Sequence, residues 1–306
     1  MQVKERLGGL FKNTGFILAL AFVIGLSLPQ GAPKTSPAVT PALAVTITMA
    51  VLGISPRLFL NFKRVARPVL TTLLLNYVIL AFILIGLATL FIPEYELWAG
   101  FVILAAVPPA IDIIPFTYHL KGDFEFSLIG TVGACIAALL IIPLISISFL
   151  GVSVIPPGRL LLILTEMIIA PLAIAQLLQR TGAAQKLEKY RGTVISWCFF
   201  LVVYTVVGLN QTAFFEEPLT LLRIAAIAFV STFGLGYVVN RVAKRRGRSK
   251  PNRISLMMLS TRKIYGLAAA ISLTFFSAKA ALPAALTIIF AISHFIWLAF
   301  HTKRMA

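Results

Sequence analysis

Charged residues are scarce in this chain of 306 residues, of which only 12% are Asp, Glu, Lys or Arg while 59% are hydrophobic. Because soluble domains carry about 25% charged residues, this composition excludes an ordinary soluble globular protein. Acidic residues are the rarest, since 10 Asp and Glu stand against 27 Lys and Arg. The chain is therefore predicted to reside in a membrane.

Cysteine and histidine are also few. The two cysteines, Cys135 and Cys198, lie in apolar runs, which argues against a disulfide framework or a cysteine-based metal site. The sequence has no paired metal-ligand motif, nucleophile elbow or phosphate-binding loop. We therefore expect a protein that is not an enzyme and that has no metal site and no cofactor.

Long apolar runs recur along the whole chain, each long enough to cross a hydrocarbon core of about 30 Å. They predict an all-α, polytopic membrane protein with about ten transmembrane helices. The predicted spans are 14–30, 38–55, 69–92, 97–120, 124–152, 158–178, 192–210, 218–240, 252–277 and 282–300.

The net charge of +17 is distributed unevenly between alternate connections, which indicates membrane orientation rather than nucleic-acid binding. Excess Lys and Arg mark cytoplasmic loops. We therefore expect a multi-pass protein of the cell membrane with both termini in the cytoplasm, whose basic segment 241–253 touches anionic lipid. The predicted cytoplasmic cations are Lys4, Arg6, Lys12, Arg57, Lys63, Arg64, Arg67, Lys121, Arg180, Lys186, Lys189, Arg191, those of 241–253, Lys303 and Arg304.

Ten spans divide into two sets of five, and an odd number per set gives the two halves opposite orientations. The sequence thus predicts an inverted repeat, with a first five-helix repeat at 1–155 and a second at 156–306. The fourth span of each half is interrupted near its middle. We predict that these broken helices, the fourth and the ninth, cross each other.

Both interruptions hold charge. Pro108 and Pro109 precede Asp112 in the first, and Arg262 and Lys263 lie together in the second. Charge at membrane depth is costly and usually marks a site or a pathway. The positive ends of two half-helices, together with the two cations, favour an anion. The negative charge of Asp112 opposes this preference for an anion, and Asp112 is a candidate ion-pair partner of Lys263. Of the two cations, we prefer Lys263 over Arg262 as the site residue.

Two stretches resemble the bile acid:sodium symporter family. FVILAAVPPAIDIIPFTYHLKGDFEFSLIGTVG is similar to the fourth and fifth helices of that family, and STRKIYGLAAAISLTFFSAKAALPAALTIIFAISHFIW is similar to its ninth and tenth. The block that begins at Gly266 is in register with the family pattern. The resemblance implies two crossed five-helix repeats and transport of an organic anion.

The chain departs from the family at the positions that help to bind two sodium ions. The family's acidic residue and its Gln-Asn pair are matched here by Leu259, Lys263 and Ile264, and its Ser-Asn pair by Ile113 and Ile114. Of the polar positions in the third and fifth helices, Asn76 and Thr131 remain. We therefore expect that two-sodium symport is absent, that the ammonium of Lys263 supplies positive charge, and that H⁺ is the candidate coupling ion.

Glu166 lies in the middle of the apolar stretch LLLILTEMIIAPL. A carboxyl group in this setting either forms an internal ion pair or helix contact, or carries a coupled proton.

Two functions remain open. The first is secondary transport of a small organic anion, such as a bile-acid-like steroid or another carboxylate, by alternating access. A four-helix panel, roughly spans one, two, six and seven, would move against a six-helix core, so that each mixes helices of both repeats. The alternative is a monovalent cation/proton antiporter that uses an Asp–Lys pair at the helix crossing. The sequence does not specify the substrate or the oligomeric state.

Overall fold

The computed structural model describes residues 14–52 and 62–304, in which every regular element is a helix. Lys4, Arg6, Lys12 and Arg57 of the orientation argument lie outside the described residues. The helices of more than four residues are α1 (Thr14–Ser27), α2 (Val39–Val51), α3 (Phe62–Leu73, Leu74–Leu80 and Ala81–Phe91), α4 (Tyr95–Ala106), α5 (Ile113–His119), α6 (Phe124–Leu150), α7 (Pro157–Leu164, Thr165–Ile169 and Ala170–Arg180), α8 (Ala183–Glu188), α9 (Arg191–Leu209), α10 (Gln211–Glu216), α11 (Pro218–Phe229, Val230–Gly234 and Leu235–Arg245), α12 (Lys250–Thr261), α13 (Tyr265–Phe275) and α14 (Ala278–Arg304). Three shorter helical turns, Pro29–Gly31, Ala32–Thr35 and Ser36–Ala38, connect α1 and α2.

Seven stretches in the described residues are long and apolar enough to cross a membrane. An eighth is added if the bent pair Phe16–Ser27 and Pro29–Val51, which meet at 94°, is counted as one span. The helix Tyr95–Ala106 is apolar but shorter. These helices confirm a polytopic, multi-pass membrane protein.

Three of the long helices contain a π-helical segment in their middle, where the turns are wider than those of an α-helix. The segments are Leu74–Leu80 in α3, Thr165–Ile169 in α7 and Val230–Gly234 in α11. Such segments occur frequently at functional sites. Two of the predicted site residues, Asn76 and Glu166, lie in them.

The chain divides into two compact units, each built from two separate stretches. The first unit comprises Met1–Ile54 and Leu161–Pro218, and the second comprises Ser55–Leu160 and Leu219–Ala306. Within the first unit, α9 packs against α1 and α2, and α2 also packs against α7. The predicted spans one, two, six and seven fall in this unit, and the other six fall in the second.

The second unit holds both interrupted helices. Its helix α4 packs against α13 and α14, and α12 packs against α11 and α6. Gly100 on α4 faces the backbone of Ala280 on α14 so closely that a Cβ atom would overlap the Ala280 carbonyl oxygen. The absence of a side chain at Gly100 therefore lets α14 approach α4 closely, six residues before α4 ends at the first interruption.

Candidate functional site

The first interruption separates α4, which ends at Ala106, from α5, which begins at Ile113. An α-helical carbonyl normally accepts from the amide four residues later, and proline has no amide hydrogen. Pro108 and Pro109 therefore leave the carbonyls of Leu104 and Ala105 without helical partners. Buried carbonyls of this kind need other donors.

The second interruption separates α12, which ends at Thr261, from α13, which begins at Tyr265. Arg262 has extended backbone angles, with φ −121° and ψ 137°. Consecutive side chains of an extended segment point to opposite sides. Arg262 and Lys263 therefore reach different partners, although they are neighbours in sequence and both are fully buried.

The two interruptions contact each other directly. The amide of Ile264 donates to the carbonyl of Pro108 at 2.9 Å. Asn76, from the π-helical segment of α3, donates through Nδ2 to the carbonyls of Leu259 at 2.9 Å and Arg262 at 3.0 Å. Backbone groups released by one break are thus satisfied by the other break and by Asn76.

Arg262 is paired with Asp112. Its Nη2 lies 2.8 Å from Oδ2 and its Nε lies 3.1 Å from Oδ1, a two-point contact between planar groups. Its Nη1 also donates to the carbonyl of Ala291 at 2.9 Å. The guanidinium covers the ring of Phe116 at 4.8 Å, and this ring stacks on Phe295.

The predicted Asp112–Lys263 pair is therefore wrong. In the structure, the carboxylate of Asp112 is engaged by Arg262, because the extended backbone at Arg262 turns the two neighbouring cations to different sides. Asp112 remains about a third exposed, with 32% of its side chain accessible, whereas the Arg262 side chain is 2% accessible.

Lys263 has no carboxylate partner among the described residues. Its Nζ donates to the carbonyls of Ala105 at 2.7 Å and Val107 at 2.8 Å, at the carboxyl end of α4. It also lies 4.5 Å from the centre of the Tyr77 ring. Helix carboxyl ends and aromatic faces both attract cations, so the ammonium is held by dipoles rather than by an opposite charge.

The remaining predicted site residues have different surroundings. Gly266 is buried in the first turn of α13, next to the second interruption. Thr131 on α6 is buried, and its hydroxyl has no hydrogen-bond partner among the described residues. Glu166 lies in the first unit rather than with the interrupted helices, and it is exposed on the π-helical segment of α7.

Several contact residues were missed from the sequence. Tyr77 and Phe116 place their rings beside the two cations, and Ala105, Val107 and Ala291 contribute only their carbonyls. The spacing of Ala105 and Pro109, four residues apart, is a signal that could have identified one of these carbonyls. Nothing in the sequence distinguishes Tyr77 or Phe116 from other aromatic residues in apolar spans.

Formal charges do not cancel where the two interruptions meet. Arg262 and Lys263 contribute two positive charges against one negative charge from Asp112, counting each side chain in its ionised form. Among the described residues there is no cluster of three or more His, Cys, Asp or Glu side chains that could hold a metal ion. With all three side chains ionised, the region where the interruptions meet would carry a net positive charge, which would attract an anion.

The family model described as the Sodium Bile acid symporter family matches residues 40–214. This range includes the first interruption and Asn76, but it ends before the segment that holds Arg262 and Lys263. No curated protein matches the chain. Since the match covers more than half of the 306 residues, the chain belongs to the sodium bile acid symporter family, a family of membrane transporters.

Proposed function

We propose that the protein is a secondary active transporter of a small organic anion, such as a bile-acid-like compound or another carboxylate. The observation that carries this proposal is that two basic side chains, Arg262 and Lys263, lie with the single carboxylate of Asp112 where the two interrupted helices meet. Asp112 balances one of the two cations, and the second has only dipoles around it. An anionic substrate would supply the missing negative charge, and interrupted helices near the midplane are typical of transporter binding sites.

Alternating access is the proposed mechanism, with ten spans in two inverted repeats. Seven long helices, the two arms of the bent pair and the interrupted α4–α5 segment together make up this number. The first unit would act as a four-helix panel and the second as a six-helix core. Membership of the transporter family supports this arrangement.

The sodium requirement of the family is proposed to be absent. Sodium needs several oxygen ligands, and Leu259, Ile264, Ile113 and Ile114 offer only apolar side chains. The cation/proton antiporter alternative loses its main support, because the Asp–Lys pair on which it depends does not form. We propose H⁺ as the coupling ion.

A thermal-shift screen of the purified protein tests the substrate class. Taurocholate, pyruvate and pantoate would be added in sodium or potassium buffers at several pH values. A specific ligand stabilises the folded state by mass action, by about 2.7 kcal/mol at 100 times its dissociation constant. We expect at least one carboxylate to raise the melting temperature equally in both buffers. Stabilisation by monovalent cations and by no carboxylate would favour the antiporter.

Uptake in proteoliposomes tests the coupling. The carboxylate that shifts the melting temperature should accumulate at the same rate when external sodium is replaced by potassium. Strong sodium dependence with cooperative kinetics would contradict the proposal, because it would mean that other oxygens rebuild the sodium sites.

A further inference from the structure

We propose that the first interruption forms a seat for a monovalent cation, which Lys263 fills from within the chain. The seat consists of the carbonyl oxygens of Ala105 and Val107 and the face of the Tyr77 ring. The Lys263 ammonium lies 2.7 and 2.8 Å from the two oxygens and 4.5 Å from the ring centre.

The atoms of the seat carry negative partial charge, and the local backbone structure explains why. The carbonyl of Ala105 lacks its helical partner because Pro109 has no amide hydrogen. Both carbonyls lie at the carboxyl end of α4, a helix of 12 residues, where the helix dipole places negative partial charge. Tyr77 is held in place because its hydroxyl donates to the carbonyl of Ala134 at 3.3 Å.

No opposite charge explains the position of Lys263. The nearby carboxylate of Asp112 is engaged at two points by Arg262, and Lys263 forms no ion pair in the described part of the chain. Two of the three ammonium hydrogens have carbonyl acceptors, and the third is left for the ring face. Lys263 therefore binds as a free cation would, except that it is tethered to the chain.

The functional consequence is that the site needs no external cation to be complete. The link between the seat and sodium-independent transport rests on the proposed function. The seat itself can be tested without any substrate, by measuring the thermal stability of the protein. Failure of anion transport and failure of the seat are therefore distinguishable.

Chemical rescue of the Lys263→Ala variant tests the seat. This substitution deletes three side-chain carbons and the ammonium, which are the heavy atoms of n-propylammonium. The melting temperature of the purified variant would be measured with increasing n-propylammonium chloride. Tetramethylammonium chloride at equal concentration controls for ionic strength, and 1-propanol controls for filling of the cavity without charge.

We expect Lys263→Ala to melt below the wild type and n-propylammonium to raise its melting temperature by about 3 °C or more near saturation. The wild type, whose seat is full, should not respond. The matched control is Lys263→Met, whose unbranched apolar side chain fills the seat, and it should be destabilised without being rescued. An equal response of Lys263→Ala to all three additives, or an equal response of Lys263→Met, would overturn the proposal.

A second measurement applies if Lys263→Ala unfolds on extraction from the membrane. Parallel extractions in n-propylammonium and in tetramethylammonium would then be compared by size-exclusion chromatography. Recovery of monodisperse protein in n-propylammonium but not in tetramethylammonium supports the proposed seat. Equal loss of monodisperse protein in both salts contradicts it.

Discussion

Two adjacent buried cations, Arg262 and Lys263, are stabilised in different ways. Arg262 has a planar group with several donors in a fixed arrangement, which matches a carboxylate at two points. Lys263 has a compact ammonium, which fits a pair of carbonyl oxygens. The residue types thus agree with the partners that the extended backbone assigns to them, Asp112 for Arg262 and the end of α4 for Lys263.

Asp112→Asn is expected to destabilise the protein strongly, because it leaves the guanidinium of Arg262 buried without a counter-charge. Loss of one partner of a buried pair costs about 3–5 kcal/mol. A large fall in melting temperature would be measured for the purified variant. Glu94→Gln is the matched control, since it breaks the partly exposed pair with Lys279 and should cost about 1 kcal/mol or less. Equal melting temperatures of Asp112→Asn and the wild type would show that Arg262 does not depend on this carboxylate.

Glu166→Gln is expected to flatten the pH dependence of anion uptake with little change in melting temperature. Glu166 is exposed in the middle of an apolar helix, and it has no ion pair among the described residues, so the substitution breaks no ion pair there. The measurement is the uptake rate in proteoliposomes between pH 5 and 8. Glu188→Gln, near the end of the same unit's short helix α8, is the control. An unchanged pH profile would exclude Glu166 as the carrier of the coupled proton.

At the level of elements, the sequence predicted the two interruptions but not their internal contacts. Prolines at 108 and 109, and charge before Gly266, were sufficient to locate both breaks. The choice between Arg262 and Lys263 as partner of Asp112 depends on backbone angles at 262–264. Those angles follow from tertiary contacts, such as that of Ile264 with Pro108, which no local pattern specifies.

The π-helical segments also escaped sequence analysis, because an apolar stretch has the same composition in an α-helix and a π-helix. Asn76 was identified from the resemblance to the family, as a polar position of the third helix that remains in this chain. Its role in capping the carbonyls of Leu259 and Arg262 became apparent only from the structure.

Gly100→Ala is expected to destabilise the packing of α4, although the substitution lies outside the interruption itself. The new Cβ atom would overlap the carbonyl of Ala280, so α4 and α14 must separate. Overpacking of this kind costs about 1–3 kcal/mol. The melting temperature should fall, whereas Gly86→Ala on α3, where a new Cβ atom would have no neighbour within 4 Å, should not lower it. Equal melting temperatures for Gly100→Ala and the wild type would show that α14 can move away without cost.

At the scale of the whole molecule, each compact unit takes one stretch from each half of the sequence. The first unit combines Met1–Ile54 with Leu161–Pro218, which is the composition expected of a panel that mixes both repeats. The repeats themselves, 1–155 and 156–306, stay a prediction. Composition and span count predicted a polytopic helical protein, because lipid restricts a chain of this hydrophobicity to spanning helices. The pairing of spans one, two, six and seven was expected from the resemblance to the family, since long-range packing of this kind has no local sequence pattern.

The membrane orientation predicted from the basic residues can be tested by cysteine labelling. In a background with Cys135 and Cys198 replaced by alanine, single cysteines would be introduced at the exposed positions Lys34, Lys186 and Arg246. The excess of Lys and Arg near 186 and 246 predicts that these positions face the cytoplasm and that Lys34 faces outward. In intact cells, a membrane-impermeant maleimide should therefore label Lys34→Cys and leave the other two unlabelled until the membrane is permeabilised. Labelling of Lys186→Cys and Arg246→Cys from outside would show that the orientation is opposite to the predicted one. Labelling of all three from one side would contradict the alternation of spans on which the inverted repeat depends.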